Sequence, residues 1–225
     1  FNHLYAVESV WLERWHGRPP QYRISAEGVE MTPLWDEFRD VAKRRDAYLA
    51  GLKDAELRVD LTYKNLKGET LTFPLGAMLL HVCNHGSYHR AQAVNMLRRV
   101  GADLPKPESD YIFMKLEKPD GTACQLDADT VRSYFRYSDW AQSRTLSAAA
   151  SLSNVQLDRQ FEMGLGTLRQ TLSHIRDGEH WWLTNWTKGP GALFPEGGSR
   201  ESIEAIASSF TKTRDARNEL LQSMT

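Results

Sequence analysis

The stretch HVCNHGSYHR, His81 to Arg90, carries three of the chain's seven histidines, spaced four residues apart at His81, His85 and His89. On an α-helix, positions four apart lie on one face about a turn from each other. Two imidazoles so placed can hold one metal ion together. Three in series cannot easily share it, because at roughly 1.5 Å of rise per residue the outer two lie about 12 Å apart along the axis. A single ion therefore takes one adjacent pair, and a third ligand comes from another helix. Val82, His85, His89, Ala93, Met96 and Val100 follow the 3 and 4 spacing of an inward bundle stripe, which puts His85 and His89 among core positions. His81 lies one position off, at the edge of that stripe. Burying two neutral imidazoles without partners is costly. A metal ion offsets that cost, and so does a complete hydrogen-bond network.

Working outward, the period stays helical over most of the 225 residues. The histidine helix runs over 75–100, opened by Pro74 and stopped by Gly101. Before it, residues 1–16 and 33–53 read as helices, the second with Trp35, Phe38, Val41 and Leu49 as inward candidates. Between 57 and 75 the period changes to two, with Val59, Leu61 and Tyr63 alternating with polar residues and NLKG offering a turn, so a small β-hairpin or extended arm is expected. Residues 102–126 are rich in Pro, Asp, Lys and Gly and read as a connection. Helices are expected again over 127–150, 165–187 and 199–223. The fold class is all-α.

The chain also repeats itself. NHLYAVESVWLERWHGRP, from Asn2, lines up with SHIRDGEHWWLTNWTKGP, from Ser173, matching His3 with His174, Glu8 with Glu179, Trp11 with Trp182 and Trp15 with Trp186. RRDAYLAGL, from Arg44, faces TRDARNELL, from Thr213, at nearly the same offset. This reads as a tandem duplication displayed in part. The first unit lacks the helix that VRSYFRYSDWAQSRTLSAAASL supplies to the second, and the second lacks a histidine helix.

Composition bounds the function. A net charge of −1 with interspersed signs argues against a nucleic-acid partner, which needs a concentrated basic footprint. No apolar run approaches the roughly 20 residues of a membrane span. Two cysteines, Cys83 and Cys124, make no disulfide framework, so a reducing, cytoplasmic setting is expected. No signal peptide is visible, although a chain beginning at Phe1 leaves a removed leader open. No Ser-His-Asp order, phosphate loop or paired-carboxylate motif stands out.

HVCNHGSYHRAQAVNMLRRVG resembles the signature helix of the DinB-like (damage-inducible, YfiT-like) metal-binding four-helix bundles, whose pattern is similar to His-x-x-x-His-x-x-x-His-Arg-Gly-Gln, with Ala91 here in place of the glycine. FNHLYAVESVWLERW resembles the family's second helix, whose histidine supplies a ligand from across the bundle. The region from Tyr134 to Trp186 resembles the first and second helices of another copy, and ESDYIFMKL matches the family's tail. The resemblance implies an up-down-down-up bundle with a metal-binding unit over 1–122 and a second, partial unit over 123–225. It implies His3, His85 and His89 as the metal ligands. Three protein nitrogens leave a position open for water or substrate, and all-imidazole ligation suits zinc, nickel or iron.

What the resemblance implies for function is a metal-dependent transferase or isomerase acting with a low-molecular-weight thiol, or a hydrolase activating water, on a small-molecule substrate. The competing expectations are a non-catalytic, stress-related metal-binding protein and a purely structural bundle. No catalytic side chain is assigned. Tyr88, Arg90 and His81 are weak candidates beside the site, with core packing expected for Tyr88 and an ion pair for Arg90. Cys83 is expected buried and inert, His16 at the surface, and His174 in a packed structural role without metal. The helix over 127–150 is expected to fill the first unit's missing place, within the chain or by exchange in a homodimer.

Overall fold

A computed structural model describes residues 2–20, 31–65, 67–102, 127–195 and 200–224, with only the backbone described at Met31 and Thr32. The tail motif at 108–116 and Cys124 lie outside the described residues. The protein is all-α with a small hairpin, and it divides into two compact units, Phe1–Leu104 and Pro105–Thr225. Among the described residues no helix is long and apolar enough to cross a membrane.

In the first unit, α1 (Asn2–Trp15) packs against both α2 (Met31–Ala50) and α3 (Leu75–Arg99). The core is Trp11, Leu12 and Trp15 from α1, Val41 from α2, and Leu75, Met78 and Val82 from α3. On α2 the buried positions are Leu34 and Val41, while Trp35 and Leu49 are exposed and Phe38 is half-buried, which corrects the stripe expected from the sequence. Shifting the buried face to Leu34 leaves the larger Trp35 ring tilted against Phe38, 6.3 Å away, and Phe38 in turn meets Tyr5 edge-on at 5.7 Å.

The hairpin forms where the period changes. β1 (Asp60–Lys64) pairs antiparallel with β2 (Thr70–Pro74), Leu61 opposite Phe73 and Tyr63 opposite Leu71. Asn65 makes the turn: its Oδ1 accepts from the backbone N–H of Lys67 at 2.9 Å and of Glu69 at 3.0 Å, and Gly68 takes φ +79°. Tyr63 reaches back to the edge of Trp11, 5.1 Å away, and the Arg14 guanidinium lies over both rings while donating to the Lys64 carbonyl at 3.0 Å. The hairpin is thereby clamped onto α1 ahead of the histidine helix.

In the second unit, α4 (Ala128–Ala150) packs against the last helix of its own unit, α7 (Ile203–Ser223), which also packs against α6 (Leu168–Lys188). A short α5 (Asn154–Leu157), not foreseen from the sequence, is held by a capping box between Ser153 and Gln156. The core joins Leu146 and Ala149 of α4, Leu157, Leu172 of α6, and Ile203, Ile206 and Phe210 of α7. Asp127, Thr167 and Ser202 cap their helices by accepting from the N–H groups of Thr130, Gln170 and Ala205.

Candidate metal centre

α1 and α3 set the site. Their packing brings the first turn of α1, which carries His3, against the middle of α3, which carries His85 and His89. One ring nitrogen from each of the three histidines lies within 4.8 Å of the others, and His174 and His180 join no such group among the described residues. The ring centroids are 5.4 Å apart for His3 and His85, 4.8 Å for His3 and His89, and 4.5 Å for His85 and His89. The two α3 histidines are half-buried and His3 is exposed, so the cluster opens to solvent on the His3 side. Burial, reinforced by the neighbouring charges of His89, His3 and His81, holds the His85 imidazole below the usual histidine value. A ring kept neutral near pH 7 keeps its lone pair available, as a metal ligand requires. Three imidazoles converging from two helices thus fit a divalent transition ion.

His81 stays out of the cluster. Its ring sits edge-on to Trp11 at 5.3 Å and tilted against His85 at 5.8 Å, so it links the His85 ring to Trp11 of α1. Tyr88 is exposed rather than core-packed, its ring edge-on to His89 at 5.2 Å. Among the described residues Arg90 finds no acidic partner for the expected ion pair; it donates to the Ser87 hydroxyl at 2.9 Å. Cys83 is exposed, not buried, because it lies off the face that meets α1. Met96 and Val100 continue the apolar stripe beyond the histidines but are exposed, since none of the described elements covers that end of α3. His16 is exposed, with Nδ1 2.8 Å from the Leu12 carbonyl. His174 is exposed as well, its ring tilted against that of Phe194 at 5.5 Å, rather than packed. Gln92, the last residue of the signature pattern, was given no role from the sequence: its Oε1 lies 2.7 Å from His89 Nδ1. The signal for that role was its place in the pattern three residues after His89, one turn along the same face.

A helical unit with a solvent-open cluster of three histidines from two helices defines a class of protein: a small bundle built around a candidate metal centre. The DinB family model matches residues 1–120 and again 126–225, and the chain belongs to the DinB family, carrying it as two tandem copies. It is 30% identical over 128 residues to Protein DinB of Bacillus subtilis (strain 168), an alignment covering 52% of this chain and 73% of that protein. No solved structure gives a significant match.

Proposed function

We propose that the first unit is a metal-dependent enzyme in which His3, His85 and His89 hold one divalent ion of zinc, nickel or iron. The observation that carries the reading is the convergence of three imidazole nitrogens within 4.8 Å, with His3 facing solvent. Carboxylates and thiols are missing from the cluster among the described residues, and an all-imidazole set of this kind suits those ions. Three ligands leave coordination positions for a small molecule. When bound there, the ion would act as a Lewis acid, lowering the pKa of a thiol or water presented to it so that the nucleophile is available near neutral pH.

The chain's own residues do the rest. His85, held below its usual pKa, stays a ligand rather than a cation. His81, itself braced by Trp11, packs against its ring. The co-substrate of this reading is a low-molecular-weight thiol, and the reaction an S-transfer or isomerisation of a small molecule. The test is elemental analysis of the untagged chain beside His85→Ala, followed by absorption spectra of the cobalt-loaded protein as a thiol is added. Near one equivalent of metal, lost in the variant, together with a thiol-dependent change in the cobalt bands, supports the reading. Metal retained without any response to thiol leaves a non-catalytic metal-binding protein. Metal missing from wild type after reconstitution removes the enzyme reading altogether.

A further inference from the structure

We propose that Gln92 is the positioning residue of the centre, setting the His89 tautomer so that Nε2 is the ligand atom; the inference rests on the metal reading of the histidine cluster. Gln92 lies one turn beyond His89 on the same face of α3, and its Oε1 is 2.7 Å from His89 Nδ1. A carbonyl oxygen only accepts, so the imidazole donates: the proton sits on Nδ1 and the lone pair on Nε2. A free neutral histidine prefers the opposite arrangement, with the proton on Nε2. Without Gln92 the lone pair would therefore rest mostly on the wrong nitrogen, and binding an ion through Nε2 would first require the proton to move.

The arrangement is particular to His89. Among the described residues, His3 and His85 make ring contacts with the other histidines, and neither has a hydrogen bond at a ring nitrogen. The cluster thus has one ring fixed by a hydrogen bond, one braced by packing against His81, and one exposed on the first turn of α1. Outer hydrogen bonds of this kind orient a metal-bound imidazole and raise its basicity, and removing them commonly weakens metal binding about 10- to 100-fold. Because Gln92 is exposed, water competes for its amide, so the lower end of that range applies here.

The test uses the full chain labelled with 15N-histidine. Long-range proton–nitrogen spectra of the metal-free protein read the His89 tautomer, and chelator competition reads the zinc dissociation constant. Wild type is expected in the Nδ1–H form. Gln92→Leu should move His89 toward the Nε2–H form and raise the dissociation constant about tenfold. Gln92→Glu, which keeps an acceptor at the same place, should restore both. Far-UV circular dichroism checks that the variants keep their helices, and a structural role alone would not produce rescue by Glu together with a tautomer shift. An Nε2–H ring in wild type, as the reversed amide orientation would give, overturns the proposal. So does a Gln92→Leu dissociation constant within twofold of wild type. Zinc failing to bind wild type overturns the metal-centre reading beneath it, and the tautomer spectra identify that failure as separate from any fault in the hydrogen bond.

Discussion

Asp139→Asn should destabilise the second unit by about 2 kcal/mol, because it removes the principal counter-ion of a buried arginine. Arg217 is only 2% exposed, and its guanidinium stacks over Phe135 at 4.4 Å. One terminal nitrogen donates to both Asp139 oxygens at 2.7 Å and the other to Glu179 at 3.1 Å, while Nε is buried without a partner. Glu179 is the weaker counter-ion. Burial pushes its pKa up, Arg217 opposes the rise, and Asp139 adds to it, so despite the ion pair the group stays above its ordinary value. Breaking a fully buried pair costs about 3–5 kcal/mol. Asp139 is 23% exposed and Glu179 remains to share the charge, which reduces the figure to about 2 kcal/mol. For a unit of this size that corresponds to a fall in its midpoint of roughly 6–12 °C. Differential scanning calorimetry of the full chain at pH 7 reads it, with only the transition of the second unit expected to move. A shift below about 2 °C would refute the assignment of Asp139 as the charge that makes Arg217 tolerable in the core.

Glu179→Gln supplies the pH counterpart: a raised folded pKa gives stability that is present below the ordinary carboxylate value and lost as pH rises through the raised one, so the variant should gain on wild type as pH rises above the ordinary carboxylate range in urea titrations, and a constant difference would contradict the sign. Trp11 and Trp15 are each 7% exposed whereas Trp182 and Trp186 are 47% and 49% exposed, so acrylamide should quench a chain keeping only the latter pair several-fold more strongly than one keeping only the former. Thr167→Ala removes the cap that accepts from the Gln170 N–H at 3.1 Å and should cost about 1 kcal/mol in the same calorimetric transition as Asp139→Asn. Cys83, exposed on α3, should react with a disulfide reagent in native protein bearing Cys124→Ser, and a rate seen only after denaturation would return it to the core.

The histidine helix was legible because its meaning is local. A four-residue spacing on one helix dictates which rings meet, and no tertiary information is needed to pair His85 with His89. His3 was different: nothing in its own neighbourhood marks it as a ligand, and only the resemblance of its helix named it before the packing of α1 on α3 brought it to the cluster. Exposure was the weakest inference. Periodicity says which side of a helix is apolar, and it does not say whether anything lies against that side. Met96 and Val100 sit on the predicted stripe and are exposed, and Cys83 sits off it and is exposed too. Tyr88 was expected in the core on the same reasoning and is exposed beside His89.

The two copies separate what the repeated sequence specifies from what its surroundings add. Trp11 and Trp182 occupy matched positions, yet Trp11 is covered by Tyr63 of the hairpin and His81 of α3, while Trp182 stacks on Trp186 at the surface. The ion pairs make the same point. Arg45 bonds Asp46 and Glu8, whereas the second unit divides those tasks between Arg214, which takes Asp215, and Arg217, which takes Glu179 one turn further along α7. The repeat therefore keeps the helix pair and its cross-helix glutamate–arginine link, and leaves the depth of that link to the third helix. In the second unit Phe135 and Asp139 of α4 bury Arg217; in the first, α3 packs on α1 instead and brings two histidines to the helix that carries His3. A histidine matched in sequence, such as His174, acquires no ligand role from the helix pair alone, because the chemistry comes with the helix laid beside it.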